Sequence, residues 1–341
     1  MKSNAILTGI KEALQNGEAK IDLREASAIT GSGSDVGGRV IYDDAFASLR
    51  YANPFRMVAR QIQTIGSDQA FVVKTGNATN PTNPFGYPVN SDVGSPDIAT
   101  SFWQLPVRDI NTTIPIRTAV LSDVNNLEAA VVDDLMLEIS TVEAYSMMFN
   151  DDQSGSSTTT YGGTVGLRGL NSYPGSTSAA AFGSNGSAIT NGIHTVLQVS
   201  QASAGSVSYD DLANLQGALP PQYLYQPDTC WMMHPTTIAN LRKLKASASA
   251  NNFLEVGDED GGAVIYIFGH RVLPNPYMDV AGSGNYPVYL ANWGRFVTIA
   301  DNGTMTLKRF EQTAPGFVNL YAEKRMCSTI LDVFAGVRLV G

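Results

Sequence analysis

The chain has 341 residues, 43% of them hydrophobic, and sets 22 Lys and Arg against 31 Asp and Glu for a formal net charge of −9. That length supports a full core in one large domain or two interleaved ones, its longest apolar runs, such as Ala263 to Phe268, are far too short to cross a bilayer, and the acidic balance argues against a protein that grips nucleic acid through its phosphates. Charged residues make up 16% of the chain, where about a quarter is typical, as fits an exterior largely covered by other subunits.

The first twenty residues hold no sustained apolar run and no small-residue cleavage site, so a secretory signal is not expected. Ile6, Leu7, Ile10 and Leu14 instead fit a short amphipathic helix. The glycine cluster GSGSDVGG, Gly31 to Gly38, lacks dinucleotide-binding spacing and does not follow a strand; it reads as a linker. From Ile65 to Asn111 two strand-like arms, FVVKTG and FWQLPVRDI, flank an Asn/Pro-rich tip. Such a hairpin has too few apolar residues for a core of its own and must lean on something else.

Next comes a long helix, beginning near Ser122 and running to about Asn150. Val124, Leu127, Val131, Leu135, Ile139, Val142, Tyr145 and Phe149 recur in steps of three and four and predict its buried face. Ser122 or Asp123 serves as its N-cap. At 1.5 Å per residue the rod is about 40 Å long. Its other face carries Glu128, Asp133 and Asp134, and no Lys or Arg occurs between Arg117 and Arg168.

A Gly/Ser/Thr-rich stretch to Ser206 reads as loop. Ser208 with Asp211 makes a capping-box start for a short helix, TCWMMH reads as a buried strand, and Pro235 opens a second helix, with His234 as its cap. GDEDGG, Gly257 to Gly262, is an acidic solvated turn before the strand AVIYIFG, and the last third is strand after strand.

Nothing in this order nominates chemistry. His194, His234 and His270 have no metal spacing and no nucleophile beside them in sequence, and read as structural or surface residues. Cys230 and Cys327 sit in apolar strand contexts as small buried residues. GDEDGG lacks the spacing of a calcium-binding loop. No catalytic residue, cofactor or metal is expected.

The series of parts resembles the major capsid proteins of tailed bacteriophages, with the Hong Kong 97-type shell fold. The likeness runs from about Val40 to Gly341: AFASLRYANPFRMVARQIQT as a lead-in helix and strand, the Ile65 to Val107 segment as the extended loop, TTIPIRTAVLSDV and the rod as strand and spine helix, and NDDQSGSS through GLRGL as the turn after it. SYDDLANLQGAL, CWMMHPTTIANLRKLK and IFGHRVL look like the axial domain, and NLYAEKRMCSTILDVFAGVRLV like the closing strands. The resemblance implies an α+β fold divided into an N-terminal arm (1–40), a peripheral domain (41–64 and 106–205, with the spine helix over 122–150), an extended β-hairpin loop (65–105), an axial domain (206–305) and return strands (306–341). It implies a non-enzymatic protein whose hexamers and pentamers form the icosahedral head of a double-stranded DNA phage. Its partners would be portal, scaffolding and decoration proteins and the enclosed DNA, with no membrane, and its place would be the virion capsid, assembled in the host cytoplasm. Assembly contacts are expected at Ile6, Ile10 and Leu14 of the arm, at Lys74, Phe85, Tyr87 and Trp103 of the loop, and at Asp258 and Asp260. Glu128, Asp133 and Asp134 would form an acidic interior face. The type member's loop crosslink uses a lysine; here the loop offers only Lys74, on the strand-like stem, so crosslinking is not expected. The alternatives are an encapsulin-type nanocompartment shell and, from a different class, a β-rich hydrolase or glycan-binding protein with a pocket at His270 or Asp258.

Overall fold

In a computed structural model, residues 52–77, 98–117, 127–150, 167–182, 193–203, 205–244, 255–259, 262–314 and 317–341 are described. In chain order the elements are α1 (Phe55–Val58), β1 (Arg60–Thr64), β2 (Asp68–Asn77), β3 (Ile98–Pro106), β4 (Arg108–Arg117), α2 (Leu127–Phe149), β5 (Gly175–Ser176), β6 (Val196–Ser200), α3 (Tyr209–Ala218), α4 (Pro221–Leu224), β7 (Thr229–Met233), α5 (Pro235–Leu241), β8 (Glu255–Glu259), β9 (Gly262–Ile267), β10 (His270–Pro274), β11 (Val288–Asn292), α6 (Trp293–Phe296), β12 (Val297–Ala314), β13 (Phe317–Ile330) and β14 (Gly336–Val340). They make three sheets: β1-β12-β13-β4, β5-β6-β14-β11-β7-β10-β9-β8, and the hairpin β2-β3.

The four-stranded sheet carries the rod. In β13, Val318, Leu320 and Ala322 are buried and alternate with half-buried polar or aromatic neighbours, the period of a strand with one covered face. Ala322 packs with Leu135 and Ile139 of α2, and Ile110, Ile114 and Met305 close the layer. Past Arg325, MCSTI is buried throughout, as for a strand covered on both sides.

The eight-stranded sheet is a central layer. All five residues of β7 and all five of β11 are buried, and alternate residues serve different cores. Trp231, Met233, Val288 and Leu290 face Leu212 and Leu215 of α3 and Ile238 and Leu241 of α5. Cys230, Met232, Tyr289 and Ala291 join Trp293, Phe296, Phe55 and the end of α2, Met147 and Met148. That second core ties the rod to the large sheet. The Ser208 and Asp211 capping box forms at α3, and His234 caps α5 through Nδ1, which accepts from the Thr236 amide.

Much of GDEDGG is strand: Gly257, Asp258 and Glu259 belong to β8, paired with Val264, Ala263 and Gly262 of β9, and Asp260 and Gly261 lie outside the described residues. The acidic composition suggested a solvated turn, but without β8 the apolar strand β9 would be the bare edge of the sheet. At the other end of β9 the two-residue turn to β10 places Phe268 at φ 50° and Gly269 at φ 79°, the left-handed pair that a tight hairpin requires.

The rod is a helix from Leu127 to Phe149; the Ser122/Asp123 cap lies outside the described residues. Its buried face differs from the predicted one. Leu135 and Ile139 are buried as expected, but Val142 is 43% and Tyr145 54% exposed, whereas Glu143, Ala144, Met147 and Met148 are buried. The buried line from Leu135 runs in steps of four, through Ile139, Glu143 and Met147, and so includes a carboxylate.

Where the chain returns to the rod, the Gly169 amide donates to the Asn150 carbonyl at 2.8 Å. A Cβ on Gly169 would lie 2.6 Å from the Met148 carbonyl oxygen. Because that oxygen is backbone and fixed by the helix, Gly169→Ala is expected to destabilise the subunit by about 1–3 kcal/mol, read as a lower thermal transition with an unchanged circular dichroism spectrum.

Candidate functional site

Four charges meet where α1, α2, β12 and β13 converge. Glu143, 1% exposed, lies between two cations: Arg56 Nε donates to Oε1 and Lys324 Nζ donates to Oε2 at 2.7 Å. Asn53 Nδ2 also donates to Oε1 at 2.7 Å, and the Asn53 amide donates to Ser140 Oγ at 2.9 Å. The other side of the Arg56 guanidinium forks onto Asp301, Nη1 to Oδ2 and Nη2 to Oδ1, both at 2.8 Å, the bidentate geometry that makes Arg–carboxylate pairs strong. Lys324 Nζ is 3.7 Å from Asp301 Oδ1. Burial by itself would raise the Asp301 carboxyl, but the hydrogen bonds and charges of Arg56 and Lys324 outweigh it and hold the group below its ordinary value of 3.8. Two anions facing two cations make a neutral clamp, which fastens the lead-in segment and the sheet to the rod and offers no poised acid, base or nucleophile.

The root of the β2–β3 hairpin is a second junction. Its ladder runs from Asp68 opposite Pro106 to Asn77 opposite Ile98. Trp103, fully buried, stacks on Phe71 at 5.9 Å between ring centroids and meets the His194 ring edge-on at 4.5 Å. Ser101 Oγ donates to the Phe182 carbonyl, and His194 Nδ1 accepts from the Phe182 amide at 3.0 Å. Trp103, expected as a contact between subunits, is thus buried inside its own chain, where it anchors the hairpin. His194, expected in a loop, is fully buried.

A third junction rests on Arg338 of β14. Val337 and Leu339 point into the core beneath α3 and α5, so Arg338 points through the opposite face and is fully buried. Nη1 donates to the Leu170 carbonyl at 3.2 Å and Nη2 to the Tyr173 carbonyl at 2.8 Å. The guanidinium lies 3.9 Å from the centroid of the Tyr286 ring.

Of the other expected contact residues, Lys74 is on β2 opposite Thr100 and Asp258 on β8 opposite Ala263. Ile6, Ile10, Leu14, Phe85, Tyr87 and Asp260 lie outside the described residues. Glu128, Asp133 and Asp134 are on α2. The rival enzymatic reading needs a pocket at His270 or Asp258. Among the described residues, a water-sized cavity between Leu105, Arg108, Arg168 and Cys327 includes neither residue, and Asp258 and His270 lie in different ladders, opposite Ala263 and Ile267.

The clamp residues were missed in the sequence. A signal was present: Ile139, Glu143 and Met147 are spaced by four, and an acid in an apolar line demands a partner. The identity of that partner was not readable locally, because Arg56, Asp301 and Lys324 come from three distant segments.

A search of curated proteins returns no match. Among solved structures the chain is similar to the capsid of an empty GTA particle (TM-score 0.64, 16% identity, covering 91% of this chain and 94% of that one). It is also similar to a chain of Mycobacterium phage Adephagia (TM-score 0.57, 13% identity, 94% and 98% covered). A third similarity is to the holo-SrpI encapsulin complex from Synechococcus elongatus (TM-score 0.54, 12% identity, 95% and 96% covered). At such identities these likenesses establish the fold alone, which is the Hong Kong 97-type α+β fold. The profile of the phage capsid family matches residues 39–338, nearly the whole chain with all three junctions, and the chain therefore belongs to the phage capsid family, as a structural, non-enzymatic subunit of the phage head shell.

Proposed function

We propose that this capsid protein forms hexamers and pentamers that close into an icosahedral head, that portal and scaffolding proteins direct its assembly in the host cytoplasm, and that it encloses double-stranded DNA without binding it specifically. The observation that carries this reading is the hairpin. β2 and β3 form a separate two-stranded sheet, fastened at its root by Trp103 and Phe71. Two strands alone are marginal in water, so the outer hairpin is stabilised by lying on a neighbouring subunit, a contact to which Lys74, Phe85 and Tyr87 contribute. The arm at 1–40 laces across another copy through Ile6, Ile10 and Leu14. The peripheral domain, 41–64 and 106–205, then holds β1, β4 and α2, and the axial domain, 206–305, holds β7 to β11, with its β8 edge, Asp258 and Asp260 meeting neighbours around the ring axes. Many repeated weak contacts then close a symmetric shell. Size-exclusion chromatography with negative-stain microscopy tests the reading: closed shells of uniform diameter support it, and a persistent monomer overturns it.

An encapsulin-type shell is the second reading, favoured by the similarity to the encapsulin complex. Nuclease-protected DNA in purified particles supports the phage reading; a packaged enzyme without DNA supports the other.

Glu128, Asp133 and Asp134 line the interior on this reading and repel the packaged duplex. Replacing Asp133 and Asp134 with lysine leaves particle yield unchanged and slows genome release, with an effect that shrinks as salt rises. Ejection kinetics at two salt concentrations check it, and equal rates in both particles would remove the acidic face from the account.

A further inference from the structure

We propose that His194 is an acid-sensitive latch on the root of the β2–β3 hairpin: a proton on its ring breaks the bond from Phe182 and releases Trp103 from the body of the subunit.

The argument begins with connectivity. His194 touches both sides of the junction. Its ring meets Trp103 of β3 edge-on at 4.5 Å and stacks on Tyr173, from the segment after α2, at 6.1 Å. Its Nδ1 accepts from the Phe182 amide, while Ser101 of β3 donates to the carbonyl of that same residue. One peptide-long segment is therefore gripped by the hairpin through its carbonyl and by His194 through its amide. Tyr173 is fastened in turn to the end of β13, its hydroxyl near Thr329 Oγ1 at 3.3 Å and accepting from the Ile330 amide at 3.4 Å.

An acceptor at Nδ1 fixes the neutral tautomer with its proton on Nε2. A second proton must go to Nδ1, where it would face the Phe182 N–H, donor against donor. The charged group that acts on the ring is Arg168, and Tyr173 stacks on it, both from the segment after α2, while Cys327 of β13 packs in the cluster that holds Trp103. β3 and the 180–182 segment bring Ser101, Trp103 and Phe182, which do not titrate. Thus no carboxylate stabilises an imidazolium at this position among the groups that act on it. Burial first, and then the charge of Arg168, push the ring from 6.5 down to about 3, against a smaller opposing pull from the Ile330 backbone.

The sign follows from linkage. The open root exposes His194 at its ordinary value, so the open state binds the proton more tightly. Above pH 6.5 the latch is neutral in both states and acid has no effect. Below it the open-to-closed ratio rises by up to about tenfold per pH unit, until the closed form itself protonates near pH 3. Asp301 also weakens in acid, but its window lies below 3.8; His270, likewise lowered by burial, sits in the β9–β10 pair of the large sheet, so exchange read at the hairpin root between pH 6 and pH 4.5 reports the latch. This inference does not depend on where the hairpin tip lies.

Hydrogen–deuterium exchange on assembled shells from pH 7.5 to 4.5, corrected for intrinsic exchange rates, tests it. In wild-type shells, exchange in 68–77, 98–106 and 180–182 is expected to rise by up to about tenfold per unit below pH 6.5, while β12 and β13 stay protected. His194→Asn supplies a side-chain acceptor that does not titrate here, and its shells should show a flat profile. The same acid rise in His194→Asn shells, or no rise in wild type, overturns the proposal. Should the variant fail to assemble, the wild-type pattern decides: a rise confined to the hairpin root supports the latch, and uniform loosening overturns it.

Discussion

Glu143→Gln shells are expected to be less stable than wild type by about 3–5 kcal/mol, the range for a buried ion pair that loses one partner. The clamp holds Arg56 and Lys324 against Glu143 and Asp301. Glutamine keeps the shape and can still accept from Asn53, but it leaves two cations sharing one carboxylate in a site where Glu143 is almost wholly shielded from water. The damage spreads because the clamp joins four elements: α1 loses its hold on α2, and β13 loses the Lys324 contact. Soluble yield and the calorimetric unfolding temperature of assembled particles measure it. Replacing Arg56 as well, as Arg56→Met with Glu143→Gln, removes a cation and should be less harmful than the sum of the two single changes. Simple additivity of the two would mean that the charges are not coupled as their distances imply.

Arg338→Met should be comparably costly, by about 3 kcal/mol or more. Two buried carbonyls, Leu170 and Tyr173, lose their donors, and each unsatisfied buried group costs about 1–3 kcal/mol; the stacking on Tyr286 is lost as well. Arg338→Lys should not rescue it, since one ammonium cannot reproduce a planar fork that spans two carbonyls and covers a ring. The measurement is again thermal unfolding, with hydrogen exchange over 167–182 as a local readout. A lysine variant as stable as wild type would show that charge alone, rather than the fork, satisfies this site.

Where local pattern decides structure, the sequence was readable. Ser208 and Asp211 make their capping box, Pro235 opens its helix with His234 as cap, and TCWMM is a buried strand. The order of elements was enough to suggest the capsid fold. The phase of the rod was not: steps of three and four through Val142 and Tyr145 and steps of four through Glu143 and Met147 are equally helical. Tertiary partners chose the second, because Arg56 and Lys324 neutralise Glu143. GDEDGG failed for a related reason, since composition marks a turn but cannot show that β9 needs a mate. Trp103 was read as surface because it belongs to a protruding hairpin, whereas the pocket that swallows it is built from His194 and Phe182, far along the chain. Arg338 lies between Val337 and Leu339 in an apolar strand, a visible anomaly whose acceptors lie more than 160 residues upstream.

The parallel pairing of β1 with β12 sets Arg60 opposite Thr298, and this has a bearing on biosynthesis. A ribosome adds about 5–20 residues per second, so the lead-in strand emerges tens of seconds before its mate exists. Throughout that interval a nascent polypeptide lacks β12 and β13, the two inner strands of that sheet, and the Asp301 half of the Arg56–Asp301 fork. A chain terminated before Val297 cannot build the four-stranded sheet that carries α2, so synthesis must run almost to its end before that sheet can form.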